Sequence, residues 1–135
     1  VWGPLFDLLE RHATAEEETF YPELLALDKE NPEEETEDAI RDHNKIRDAV
    51  RDAEFADTGS EAWWKAIEAT QTENDDHMRE EEEGPLPHFR KYVDDATRER
   101  IGAEFEARKR GEPFTGDRNP KEYVEQHEPH DVTAT

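Results

Sequence analysis

An all-α fold, an up-down bundle of the four-helix type, is predicted by three features of the 135-residue sequence. Apolar residues recur at steps of three and four, Pro and Gly fall at helix-length intervals, and no stretch alternates in polarity as a strand would. The prediction has to be made against an unfavourable composition. Only 32% of the residues are hydrophobic, and 38 Asp and Glu face 17 Lys and Arg for a formal net charge of −21. Such values approach those of chains that stay disordered, so the periodic placement of the few apolar residues carries the argument for a fold.

The first helix is expected over Pro4–Leu27, where Leu5, Leu8, Leu9, His12, Glu16 and Phe20 share one face. Asn31-Pro32-Glu33-Glu34-Glu35 then reads as a helix start, with Asn as N-cap, Pro at the first helical position and acids in the first turn. That second helix extends to Ala56 and turns Ile40, His43, Ile46 and Val50 inward. Gly59 ends it and Ser60 caps a third helix, Glu61–Glu83, whose inner stripe is Trp63, Ile67, Thr70, Asn74, His77 and Glu81. Gly84-Pro85 breaks that helix. A short segment, Leu86 to Val93, and a last helix, Ala96 to Arg110, follow. The chain thus divides into a helical domain over 1–110 and an acidic tail over 111–135, in which Pro, Gly and charge predict little structure.

Composition also excludes functions. A surface this acidic repels nucleic acid and anionic membranes, so neither is an expected partner. With no Cys there is neither a disulfide framework nor a thiolate metal site. No 18-residue apolar run and no signal-peptide pattern is present, which makes the cytoplasm the expected location.

The chemistry lies in the His and Glu residues. His12 with Glu16 and His77 with Glu81 are each four residues apart, which puts each pair on one helix face, and His43 comes from the inward stripe of the second helix. Spacing by itself says little where 38 of 135 residues are acidic. The stronger point is that three imidazoles and two carboxylates on apolar stripes are costly to bury without a partner. A metal ion is one such partner. Hydrogen bonds among themselves, or to Arg47 and Asn74, are the other. Helix levels agree between Glu16 and His43, each roughly 11 residues from the connection between their helices, but fit His43 to His77 only to about one turn.

Three blocks, H-x-x-x-E-E-E-x-x-Y-P from His12, D-H-x-x-I-R around His43 and H-x-x-E-E-E-E-x-x-L-P from His77, resemble the hemerythrin HHE cation-binding family. The resemblance spans Leu5 to Val93. It implies a four-helix bundle with a non-haem di-iron centre, with His12, Glu16, His43, His77 and Glu81 as metal ligands and the two Glu as bridging candidates. It also implies a preceding helix with a further His, which the sequence before Leu5 does not contain, and Arg47 stands where oxygen carriers of the family often have a His. The expectation is therefore an incomplete metal site, with partial occupancy or closure by a homodimer. The Glu-x-x-His spacing of ferritin-like bundles and the H-E-x-x-H motif of zinc proteases are both missing.

Three functions compete at this level. The first is an iron protein that binds or senses oxygen, iron or redox state, with dioxygen or peroxide as its small ligand. The second is a di-iron enzyme that decomposes peroxide, and the third is a structural bundle without metal. Other residues read as structural. Trp63, Trp64, Phe20, Tyr21 and Phe89 are assigned to packing, though Tyr21 or Tyr92 could reach the site. Glu17, Glu18, Glu82 and Glu83 are assigned to a solvated face, and His88, His127 and His130 to the exterior.

Overall fold

The computed structural model describes residues 2–27, 32–112, 114 and 116–127. The expected N-cap Asn31, and His130 in the tail, lie outside the described residues. Those that are described contain helices and no strand: α1 (Trp2–Ala15), a π-helical turn (Glu16–Phe20), α2 (Tyr21–Ala26), α3 (Pro32–Phe55), α4 (Glu61–Glu83), α5 (Pro85–Tyr92), α6 (Asp95–Lys109) and α7 (Pro120–His127). The three long helical runs expected from sequence are all present.

Local rules account for the boundaries. Ser60 caps α4, its side chain accepting a hydrogen bond from the Trp63 N–H, and Gly59 supplies the positive φ of 85° that the turn before it needs. Pro85 opens α5 directly after Gly84, and the Asp94 side chain caps α6 through the Thr97 N–H.

The first run departs from expectation at its centre. Between α1 and α2 the helix widens, and the Tyr21 N–H bonds to the Glu16 carbonyl five residues back. The extra residue in that turn changes which side chains face inward. Glu16 and Glu17 are both buried, as are Phe20 with Tyr21 and Leu24 with Leu25. A regular helix turns about 100° per residue and places such neighbours apart.

Packing brings α3 and α4 together along their lengths, with α1 and α2 across from α3. Two apolar clusters result. Phe6, Ala53 and Ala66 form one, flanked by Leu9, Val50, Trp63 and Ile67. The other gathers Phe20, Tyr21, Leu25, Ala39, Ile40, Phe89, Ile101, Tyr123 and Val124. Along the first helical run, along α3 and along α4 with α5, the His and Glu residues fall in sequence between members of the two clusters.

α6 lies along α1 and the π-helical turn, burying Ile101 and holding Phe105 edge-on to His12 at 5.2 Å. It therefore covers part of the first helix, while Leu5 and Leu8 stay exposed. The segment read as a tail of little structure contains α7, which packs on α3 and buries Tyr123 and Val124. Eight residues are too few to hold a helix alone, so these contacts hold it. Trp64, expected in packing, is instead 55% exposed. No helix among the described residues is long and apolar enough to cross a membrane.

Candidate metal centre

Glu16, His43, His77 and Glu81 converge, each offering a ligand atom, with all these atoms within 4.8 Å of one another. All four side chains are buried. Glu16 Oε1 is 3.4 Å from His43 Nε2 and 3.9 Å from His77 Nε2, the two Nε2 atoms are 3.0 Å apart, and Glu81 Oε1 is 2.7 Å from His77 Nε2. The level agreement between Glu16 and His43 is realised, and α3 and α4 pack so that His77 meets them despite the looser register.

His12 sits at the rim. Its Nε2 is 3.3 Å from Glu16 Oε1, but its side chain is 52% exposed. It thus stands beside the cluster rather than within it.

The two buried imidazoles are held by carboxylates on their outer sides. His43 Nδ1 is 2.7 Å from Glu17 Oε2, and His77 Nδ1 is 3.3 Å from Asp42 Oδ2. With Nδ1 bonded outward, each ring turns Nε2 to the common centre, as metal-binding histidines do. Tyr21, fully buried, donates its hydroxyl to Glu81 Oε1 at 2.8 Å and lies 3.2 Å from His43 Nε2.

Two assignments made from sequence are corrected here. Glu17 is not on a solvated face: it is 1% exposed, and Arg47 Nη2 and Arg118 Nε donate to its Oε1 at 2.7 and 2.6 Å. His88 is not exterior either, being buried with Nδ1 2.5 Å from Glu35 Oε1. The cause is the same in both cases. A partner brought by tertiary packing offsets the burial of a polar group. Glu18, Glu82 and Glu83 are exposed, and His127 is half-buried, stacked on Tyr123. Arg47, considered as a partner for the cluster, pairs with Glu10 and Glu17 instead.

Sequence reasoning missed Glu17 and Asp42 as supports and left Tyr21 mainly to packing. For Asp42 a signal existed, the Asp-His pair, although Asp42 reaches His77 and not its neighbour His43. For Glu17 there was none, because the widened turn that directs it inward is not written in any periodicity.

The electrostatics follow from burial and neighbours. Burial opposes ionisation of Glu16, but the ring nitrogens of His12, His43 and His77 outweigh it and hold its carboxyl well below the usual range. Glu81 moves the other way, pushed up by burial and by the charge of Glu16. Burial opposes charge on His77 too, yet hydrogen bonds to Asp42, Glu16 and Glu81 raise it to about 12. His43 is likewise raised against its burial, by Glu16 and Glu17. Tyr21 is pushed up by burial and then by Glu16 and Glu81, so it remains a phenol and a donor.

Glu17 gives the clearest test. Burial would raise it, but His43 and then Arg47 hold it down at about 2. A carboxyl depressed on folding contributes stability above its unfolded value near 4.5, and loses it as pH falls through the folded value. Titration of the Glu17 side-chain carbon signal by NMR is expected to show no protonation down to about pH 3. A midpoint at 4 or above would show that the ion pairs are not formed in solution.

Chemically, the centre matches a cation. Glu16 Oε1 is buried and accepts no well-directed hydrogen bond among the described residues, although three imidazoles surround it. Imidazole and carboxylate together suit iron, zinc and similar divalent ions. A cavity of about 400 Å³ opens onto Glu16, His43 and His77; Phe6, Leu9, Ala13, Ile46 and Val50 form its apolar wall, and Glu10, Arg47, Arg51 and Glu54 also line it.

Comparison with known proteins agrees with this geometry. No curated protein and no solved structure matches the chain. The family model described as the hemerythrin HHE cation binding domain matches residues 1–89, which carry the whole His and Glu cluster. The chain belongs to the hemerythrin HHE cation-binding family and is a metal-binding, hemerythrin-like helical protein.

Proposed function

We propose that the chain holds non-haem iron between Glu16, His43, His77 and Glu81, with His12 joining from the rim, and that it binds or senses oxygen or redox state there. The observation that carries this reading is the buried Glu16 oxygen facing three imidazole nitrogens without a well-directed hydrogen bond. A cation satisfies all four atoms at once, whereas protons satisfy them only in pairs. His12, which adds a nitrogen on the outer side of Glu16, would give a second iron a ligand, with Glu16 and Glu81 as the carboxylates available to both ions.

Iron, when bound, supplies a redox couple that reacts with dioxygen or peroxide. The chain's own residues set the conditions for it. Glu17 and Asp42 keep the Nε2 atoms of His43 and His77 turned to the centre, Tyr21 keeps a proton on its hydroxyl beside Glu81, and the cavity admits a small ligand along an apolar wall.

The test is anaerobic titration of the protein with Fe(II), followed by metal analysis and by the optical spectrum before and after oxygen. One or two tightly held irons per chain and an oxygen-dependent absorption band are expected. Because neighbouring carboxylates raise the proton affinity of His43 and His77, a metal competes with protons at these rings and its affinity should rise with pH. A chain that binds no iron, or binds it without pH dependence, overturns the reading. Rapid turnover of added peroxide would favour the catalytic alternative instead.

A further inference from the structure

The C-terminal segment reaches the metal centre from outside the family match, which ends at residue 89. Its contacts concentrate on residues next to the cluster. Arg118 Nε donates to Glu17 Oε1 at 2.6 Å, and its backbone is held twice by Asn44: Arg118 N donates to Asn44 Oδ1 at 3.0 Å, and Asn44 Nδ2 donates to the Arg118 carbonyl at 2.6 Å. The Phe114 ring lies under the Arg118 guanidinium at 3.7 Å, and the Phe114 N–H donates to Thr14 Oγ1 at 2.9 Å. The Tyr123 hydroxyl donates to the Glu17 carbonyl.

We propose that Arg118 is a positioning residue for the metal centre, acting on His43 through Glu17, and that docking of residues 116–127 and metal binding are coupled. This rests on the metal reading above. Glu17 has two oxygens and two tasks. Oε1 takes Arg47 and Arg118, which leaves Oε2 to hold His43 Nδ1 at 2.7 Å and to turn Nε2 inward. Arg47 cannot fix Glu17 alone in the same way, because its Nε is committed to Glu10 at 2.9 Å. The second guanidinium gives the carboxylate a fixed plane, and the imidazole inherits that orientation. Carboxylates that orient metal-binding histidines in this manner typically change metal affinity 10–100-fold when disturbed. The coupling is reciprocal, so bound metal should hold the segment in place by the same factor.

The sign of the effect separates positioning from simple electrostatics. Removing a nearby positive charge favours a bound cation, so an electrostatic role predicts tighter binding by Arg118→Gln. The positioning role predicts weaker binding. Full-length wild type, Arg118→Gln and Arg118→Lys are titrated with Co(II), read by its visible absorption. Hydrogen exchange at the Arg118 and Tyr123 amides is followed with and without the metal. Arg118→Gln is expected to bind about 10–100-fold more weakly and Arg118→Lys to recover most of the loss. In the wild type, metal should slow exchange at both amides by a similar factor, and in Arg118→Gln it should not. If Arg118→Gln fails to fold, Tyr123→Phe serves, since it removes a contact to Glu17 without changing charge, and it is expected to weaken binding in the same direction. Equal or tighter binding by these variants, or exchange that ignores the metal, overturns the positioning role and leaves the metal reading intact. Absence of binding by the wild type overturns both.

Discussion

Replacing Glu16 with alanine is expected to weaken divalent metal binding by more than about 100-fold, beyond the range seen when only a supporting residue is lost. Glu16 Oε1 is the atom common to the site, within 3.3–3.9 Å of the Nε2 atoms of His12, His43 and His77. The fold should survive. Without Glu16, His43 keeps Glu17 and His77 keeps Asp42 and Glu81, so no buried imidazole loses its last carboxylate. His12→Ala should cost far less, about tenfold or below, because its side chain is half exposed at the rim. Co(II) titration with circular dichroism measures both quantities together. Glu16→Ala binding metal as well as His12→Ala would mean that the ion sits elsewhere.

The second large effect concerns stability. Arg47→Leu is expected to lower the unfolding free energy of the metal-free protein by about 3–5 kcal/mol, the usual cost of removing one partner from a buried ion pair. Arg47 is 4% exposed and carries two acids, Glu10 through Nε and Glu17 through Nη2. The leucine fills much of the volume but leaves Glu10 without its cation and Glu17 dependent on His43 and Arg118. Such a loss lowers the melting temperature by on the order of 10–20 °C in a chain of this size. Urea unfolding at neutral pH reads it directly. A loss under about 1 kcal/mol would show that Arg118 and His43 suffice for Glu17, as they would for a partly exposed pair.

The helices that carry the His and Glu cluster were legible because helical periodicity survives even in so acidic a chain. Ile40, His43 and Ile46 share the inner face of α3, and Thr70, His77 and Glu81 that of α4, as their spacing requires. The stops at Gly59 and at Gly84-Pro85 were legible for an equally local reason, the backbone limits of Gly and Pro. Leu5 and Leu8, by contrast, show that a periodic apolar residue need not be covered. Periodicity gives a direction, and only packing supplies the neighbour.

By itself, then, the sequence determined that this protein is a helical bundle and that Glu16, His43, His77 and Glu81 turn inward, though not that Glu17 and His88 do. Both follow from rules that act within a few residues of chain. What the tertiary structure decided is how those groups are held. The π-helical turn rotates Glu17 inward, α3 brings Arg47 to it, and Arg118, its backbone held by Asn44, arrives from 101 residues further along the chain. No local pattern encodes that meeting. A charged residue is placed inside or outside by whether its partner is there, and partners separated by 26 to 101 residues are set only when the helices pack.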